Sequence, residues 1–145
     1  MELIVTANLA STWMMVGVIW FVQVVHYPLL SVVPVDAARA TALEHQPRTA
    51  RVVGLPMAVE GVTTLWLMFD RPDGVQWWLA WAGGVTVAVS LLSTVLLSVP
   101  RHTRMAEHPD ASVGRELVVT NWPRTISWTV HGLVCAAIAL RTFRS

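Results

Sequence analysis

Four long stretches of the sequence are nearly free of charged residues, and they define the predicted helices. A bilayer core needs about 20 apolar residues in a helix, and apolar runs of this length without strand-like alternation are helices. The second stretch is interrupted only by Glu60, and the fourth, after Arg124, only by His131. The sequence therefore predicts a single integral membrane domain over residues 1–145. Its predicted spans are residues 3–25, 52–69, 75–99 and 118–140.

The connections between these stretches indicate how the helices are arranged. The link Asp70–Gly74 contains Arg-Pro-Asp-Gly, which is typical of a tight turn. The connections of residues 26–51 and 100–124 are longer, and Asp36–His45 predicts a short surface helix. The predicted fold is all-α: a four-transmembrane-helix bundle with a short second–third hairpin and two longer loops on one side. Prolines are expected to mark breaks at or near the ends of the spans: Pro28, Pro34, Pro47, Pro100, Pro109 and Pro123.

The composition agrees with a protein that faces lipid. Hydrophobic residues make up 54% of the chain and charged residues only 13%, whereas a soluble domain carries about 25% charged residues. The net charge of +1 argues against a nucleic-acid partner, which would require a basic face. Cys135 is the single cysteine, so an internal disulfide is excluded.

The distribution of arginine predicts the orientation in a cell membrane. All ten basic residues are arginine, and seven of them lie in the two long connections. By the positive-inside rule, both long connections are cytoplasmic and both termini lie outside. The seven are Arg39, Arg48, Arg51, Arg101, Arg104, Arg115 and Arg124, against Arg71, Arg141 and Arg144 on the other side.

Glu60 lies near the middle of the second predicted span. A charge facing lipid there costs about 2.5–3.5 kcal/mol, so we expect Glu60 to face the interior of the bundle. It follows Arg51 by nine residues, and His131 follows Arg124 by seven. At about 1.5 Å per residue, the two side chains lie at similar depth and are predicted to pair. The pair is either a chemical site or a structural contact between helices.

Further polar residues converge toward one end of the bundle. His26 ends the first span and His102 follows Pro100 at the end of the third; either of them is a site residue or an interfacial residue. His45 and His108 are expected to lie in solvated loops. One face of the fourth helix, at steps of three or four residues, carries Asn121, Arg124, Trp128, His131 and Cys135.

Two chemistries are compatible with these residues. In the first, Glu60 and His131 are a catalytic acid–base pair. Substrate would then be bound by Arg124, Asn121, His26 and Trp128. In the second, a metal is held by ligands drawn from His26, His102, Glu60 and His131. Iron, copper or zinc would suit such ligands, and haem would suit His26 with His102, although no dense metal-binding motif is present and no cofactor is required.

Two short motifs resemble the anthrone oxygenase-like family, a domain of unknown function among small four-helix membrane proteins. They are Val24-Val25-His26-Tyr27-Pro28 and Thr120-Asn121-Trp122-Pro123-Arg124-Thr125. The resemblance covers most of the chain in topology and implies a compact four-helix bundle. In the fungal members it implies oxidation of a phenolic anthrone to a quinone without a dedicated cofactor. It marks His26, Asn121 and Arg124 as site residues, and the usual glutamate before the histidine is Val25 here.

Two functions are therefore expected. The first is an oxidoreductase acting on a lipophilic aromatic or quinone-like small molecule. The alternative is a non-enzymatic accessory subunit or small carrier of a membrane complex, in which Glu60 is a proton site or a helix-pairing site. In that case the glycine-bearing helix faces favour a homo-oligomer or a membrane partner.

Overall fold

The computed structural model of the protein describes residues 1–144, and this part of the chain contains helices and no strand. The all-α class and the four-helix bundle predicted from the sequence are confirmed. Four long helices form the bundle and one short helix precedes the last of them. The helices are α1 (Glu2–Leu30), α2 (Val35–Phe69), α3 (Trp77–Glu107), α4 (Val113–Thr120) and α5 (Trp122–Thr142).

The last helix occupies a central position in the bundle. Helix α5 packs against α1 and α3, while α2 packs against both α1 and α3. The seven-residue connection 70–76 reverses the chain between α2 and α3, with Gly74 at a φ of 78° that favours glycine. Helix α4 packs against the C-terminal ends of α1 and α3. This arrangement puts the polar face of α5 inside the bundle.

The two longer loops predicted from the sequence are much shorter in the structure, and this part of the prediction is wrong. Helix α2 begins at Val35, so Asp36–His45 is its first part and not a separate surface helix. Within the two predicted loops, the chain leaves helix at residues 31–34 and at residues 108–112, before α4 begins. These extensions are stable because their apolar sides meet in a buried cluster. The cluster consists of Tyr27, Leu30, Ala38, Ala42, Met105, Ala106, Val113 and Leu117.

Three of the predicted proline breaks are also wrong. Pro47 lies inside α2, and the helices continue through Pro28 and Pro100. Each of the latter two follows a π-helical turn, over Val22–His26 in α1 and Thr94–Ser98 in α3. Within a helix, a proline ring clashes with the carbonyl four residues earlier. That carbonyl lies in the wider turn in both cases, so the helix accommodates the ring.

Three of the helices, α1, α2 and α3, are long and apolar enough to cross a membrane by length and composition. Helix α5 is not among them, because its sequence carries more polar residues. Its buried residues include Thr125, Ser127 and His131. The polar residues of this helix therefore face the interior of the bundle.

An ionic cluster joins α3 to α4 at the end of the bundle where the chain leaves α3. Both terminal nitrogens of Arg104 donate to the Glu116 carboxylate, at 3.1 and 3.0 Å. Its Nε donates to Asp110 at 3.0 Å. Hydrogen bonds from the side chain and backbone of Ser112 lower the pKa of Asp110 to about 2. The cluster holds α4 close to the inner residues of this end.

Candidate functional site

Glu60 faces the interior of the bundle and is 2% exposed. The indole nitrogen of Trp128 donates to both carboxylate oxygens, each at 3.0 Å. His131 Nε2 lies 3.6 Å from Glu60 Oε1. The contact between Glu60 and His131 that was predicted from their depth is therefore present, and Trp128 is the closer partner of the carboxylate.

A layer of polar side chains extends from this pair to all four long helices. His131 Nδ1 lies 3.0 Å from Thr86 Oγ1 on α3. Because the Thr86 hydroxyl donates to the Ala82 carbonyl, its oxygen accepts from the His131 Nδ1–H, which leaves Nε2 as an acceptor. On the other side, Cys135 Sγ donates to Asn8 Oδ1 of α1 at 3.0 Å. We call this set, completed by Glu60, Thr64 and Trp128, the polar layer.

A second cluster surrounds Arg124, nearer the end of the bundle that carries α4. The Nη1 group of Arg124 donates to Ser98 Oγ at 2.9 Å, to Asn121 Oδ1 at 3.1 Å and to the Tyr27 hydroxyl at 3.4 Å. The Tyr27 hydroxyl lies 3.0 Å from His102 Nε2. Helices α1, α3 and α5 thus contribute to one hydrogen-bonded group.

Three histidines, His26, His45 and His102, extend this second cluster, and we call them the histidine cluster. His26 Nε2 lies 2.8 Å from His45 Nδ1, and the rings of His45 and His102 are 5.1 Å apart between centroids. His45 also contacts Thr49 Oγ1, at 3.0 Å. The expectation of a solvated His45 is wrong, because α2 continues through Pro47 and carries this ring into the cluster. His108 is exposed, as expected.

An inner cavity of about 260 Å³ lies between these residues and the middle of the bundle. Its polar wall includes Tyr27, His45, His102 and Arg124. Its apolar wall includes Met15, Ile19, Val53 and Met57. The Glu60 and His131 side chains do not line it. The cavity thus joins an apolar space to a set of nitrogen and hydroxyl groups.

Two residues of this wall each carry a buried nitrogen atom without a hydrogen-bond partner in the described part of the chain. The Tyr27 hydroxyl accepts from Arg124, and it is hydrogen-bonded to His102 Nε2 with either atom able to donate. Within residues 1–144, neither His102 Nδ1 nor Arg124 Nε has a hydrogen-bond partner, and both atoms are buried. A buried polar group without a partner costs about 1–3 kcal/mol, so these two residues are held in place by their other contacts.

The residues singled out from the sequence thus fall into two groups. Glu60 and His131 belong to the polar layer. Arg124, His26 and His102 belong to the second cluster. Trp128 joins the two groups, because the Arg124 guanidinium carbon lies 5.4 Å from its ring centroid while its indole N–H holds Glu60.

Asn121 is fully buried and donates to Gln23 Oε1 at 2.9 Å. It accepts from Arg124, so its observed contacts hold the guanidinium in place. Ser98 also contacts Arg124, and sequence reasoning missed it together with His45. A lone serine in an apolar span carries no signal, whereas the helical composition of Asp36–His45 was a usable signal for His45.

The four candidate metal ligands do not form one set. His26 and His102 lie in the second cluster, and Glu60 and His131 lie in the polar layer. In the part of the chain that the structure describes, no three or more His, Cys, Asp or Glu residues are grouped so as to hold a metal ion.

The fold and the site together describe the class of protein. It is a four-helix bundle in which three helices are suited to a membrane, with a buried polar layer and a cavity that has a polar wall. Comparison of the chain with family models, curated proteins and solved structures finds no match.

Proposed function

We propose that this protein is a multi-pass membrane protein that binds a lipophilic molecule with an oxygen-bearing aromatic or quinone-like ring. The observation that carries the proposal is the inner cavity, whose wall brings His45, His102 and Arg124 together with apolar side chains. An apolar cavity of about 150 Å³ is large enough for benzene, so about 260 Å³ has room for a larger ring.

The chemistry that suits this wall is proton exchange with a phenol or hydroquinone. The fixed charge of Arg124 stabilises an anionic ring oxygen, and the imidazole of His102 lies on the same wall. The imidazole of His45 is then the acceptor of the O–H proton. Oxidation of a hydroquinone to a quinone releases two electrons and two protons, and dioxygen or a second quinone would take the electrons.

Under this proposal, Glu60 and His131 position other residues and do not touch the ligand. Glu60 fixes the indole of Trp128, whose face lies beneath the guanidinium of Arg124. The sequence-based hypothesis of a catalytic Glu60–His131 pair is replaced for one reason: the inner cavity does not reach either side chain.

The resemblance to the anthrone oxygenase-like family supports the same ligand class. Two of the residues that it marks, His26 and Arg124, belong to the second cluster, and the third, Asn121, holds Arg124. We also propose that the cluster lies toward the cytoplasm, because seven of the ten arginines occur within residues 26–51 and 100–124, the parts of the chain predicted to lie at this end.

The proposal is tested with lawsone, a hydroxynaphthoquinone whose visible absorbance reports its ionisation. Purified protein in phosphatidylcholine nanodiscs is titrated with lawsone. Arg124→Gln is expected to weaken binding by about 10- to 100-fold, because it removes a charge-assisted hydrogen bond of about 1.5–3 kcal/mol. The matched control is Arg115→Gln, at an exposed position, which is expected to bind like the unchanged protein.

Tyr27→Phe is the second variant, in case Arg124→Gln fails to fold. It keeps the ring and removes the hydroxyl that orients His102, so weaker binding is again expected. If the unchanged protein does not bind lawsone, or if both variants bind it normally, the proposal is wrong. Binding of reduced probe without its oxidation under air would favour a carrier or accessory subunit over an oxidoreductase.

A further inference from the structure

We infer that the ligand has a hydrocarbon tail that leaves the inner cavity between α1 and α2 and reaches the surrounding bilayer. The inference rests on the proposed function and adds a ligand class to it: a ring head with a single chain. A second space of about 860 Å³ lies between these helices, and we call it the outer groove. Val18, Val22, His45, Thr49 and Val53 line both the inner cavity and the outer groove.

The shared wall makes the two spaces neighbours across one layer of side chains. Of the shared residues, His45 contacts the other two histidines with its ring, and the three valines are apolar. A ring that contacts His45 from the cavity is therefore next to the outer groove. A chain attached to that ring is separated from the outer groove only by this layer of side chains.

The outer groove changes in polarity along its length, as an amphiphile does. Near the histidine cluster it is lined by Glu44 and Arg48, which form an exposed ion pair at 2.6 Å. Away from the cluster it is lined by apolar residues of both helices, including Phe21 and Val52. Gly17 lies nine residues before His26, about 14 Å along the helix. The apolar part therefore extends toward the middle of α1.

Gly17 keeps the apolar part of the groove open. It is exposed, and a Cβ atom built at this position would meet no other group within 4 Å. A Cβ atom is therefore accommodated here, and a larger side chain would extend into the groove. A substitution of Gly17 therefore tests the binding of the tail separately from that of the ring, because Gly17 does not line the inner cavity.

The test compares two probes, lawsone and lawsone carrying a dodecyl chain, in phosphatidylcholine nanodiscs. Gly17→Phe is expected to weaken binding of the tailed probe by about tenfold or more and to leave lawsone binding unchanged. Val52→Trp, on the opposite wall, is expected to have the same effect. The matched control is Gly54→Phe, since Gly54 is exposed, has open space at its Cβ and does not line the groove.

The outcomes separate this inference from the proposed function. If the unchanged protein binds neither probe, the proposed function is wrong and the inference falls with it. If it binds both, and both groove variants leave the tailed probe unaffected or weaken the two probes equally, the tail does not lie in the groove. The proposed function would then stand without the tail.

Discussion

At the scale of single residues, the buried Glu60 carboxylate accepts a hydrogen bond from the indole N–H of Trp128, which lies within reach of both of its oxygens. Trp128 is 1% exposed, so its N–H has no access to water if Glu60 is removed. Glu60→Met is expected to lower the free energy of unfolding by about 1–3 kcal/mol, the cost of a buried unpaired donor. Denaturant titration of the protein in detergent measures this change.

Glu60→Gln is the informative comparison. Its amide oxygen still accepts from Trp128, and its NH₂ group faces His131 Nε2, which is an acceptor in the neutral ring. We expect a smaller loss than for the methionine variant, with lawsone binding retained. Glu44→Met, at an exposed ion pair, is the control and is expected to change stability by less than about 0.5 kcal/mol. Equal stability of the Glu60 variants would contradict the assigned contact.

The depth of a residue in a helix is predictable from sequence, and lateral neighbours are not. The constant rise per residue placed Glu60 and His131 at one level, and the structure brings them within 3.6 Å. Nothing in the sequence indicated that Trp128 would lie closer to the carboxylate than His131. The contact of His45 with His102 depends on how α2 packs against α3, which no local pattern encodes.

At the scale of elements, the short helix α4 is held against the end of α1 by a close backbone approach. A Cβ atom at Gly114 would collide with the backbone of Ser31, which cannot move away as a flexible side chain would. Gly114→Ala is therefore expected to cost about 1–3 kcal/mol of stability, as overpacking does. Thermal unfolding in detergent measures the loss.

Gly54→Ala supplies the control for the intrinsic effect of the substitution. This helical position is exposed and open, and alanine is favoured over glycine in a helix by about 1 kcal/mol. The two variants are thus expected to shift the unfolding temperature in opposite directions. A stabilising Gly114→Ala would mean that α4 does not pack against Ser31 as described.

Helix existence followed from the apolar runs, whereas helix ends did not. The run of residues 52–69 was recognised because it is long and almost free of charge, but α2 begins 17 residues earlier, at Val35. The added part is amphipathic, and only its packing through Ala38 and Ala42 makes it continuous with the apolar part. Pro47 concealed this continuity because proline disfavours helix interiors in general.

At the scale of the whole molecule, the direction of insertion decides which compartment would exchange protons with the site under the proposed function. The proposed orientation puts the 70–76 connection outside and the 108–112 connection in the cytoplasm. Cysteine labelling tests it, since the native Cys135 is only 2% exposed and the unchanged protein is expected to remain unlabelled in intact cells.

Asp73 and Ala111 are exposed residues of these two connections. A membrane-impermeant maleimide is expected to label Asp73→Cys in intact cells and Ala111→Cys only after permeabilisation. The reverse pattern would place the histidine cluster outside. The site would then exchange protons with the external medium, although the groove between α1 and α2 would still open to the bilayer.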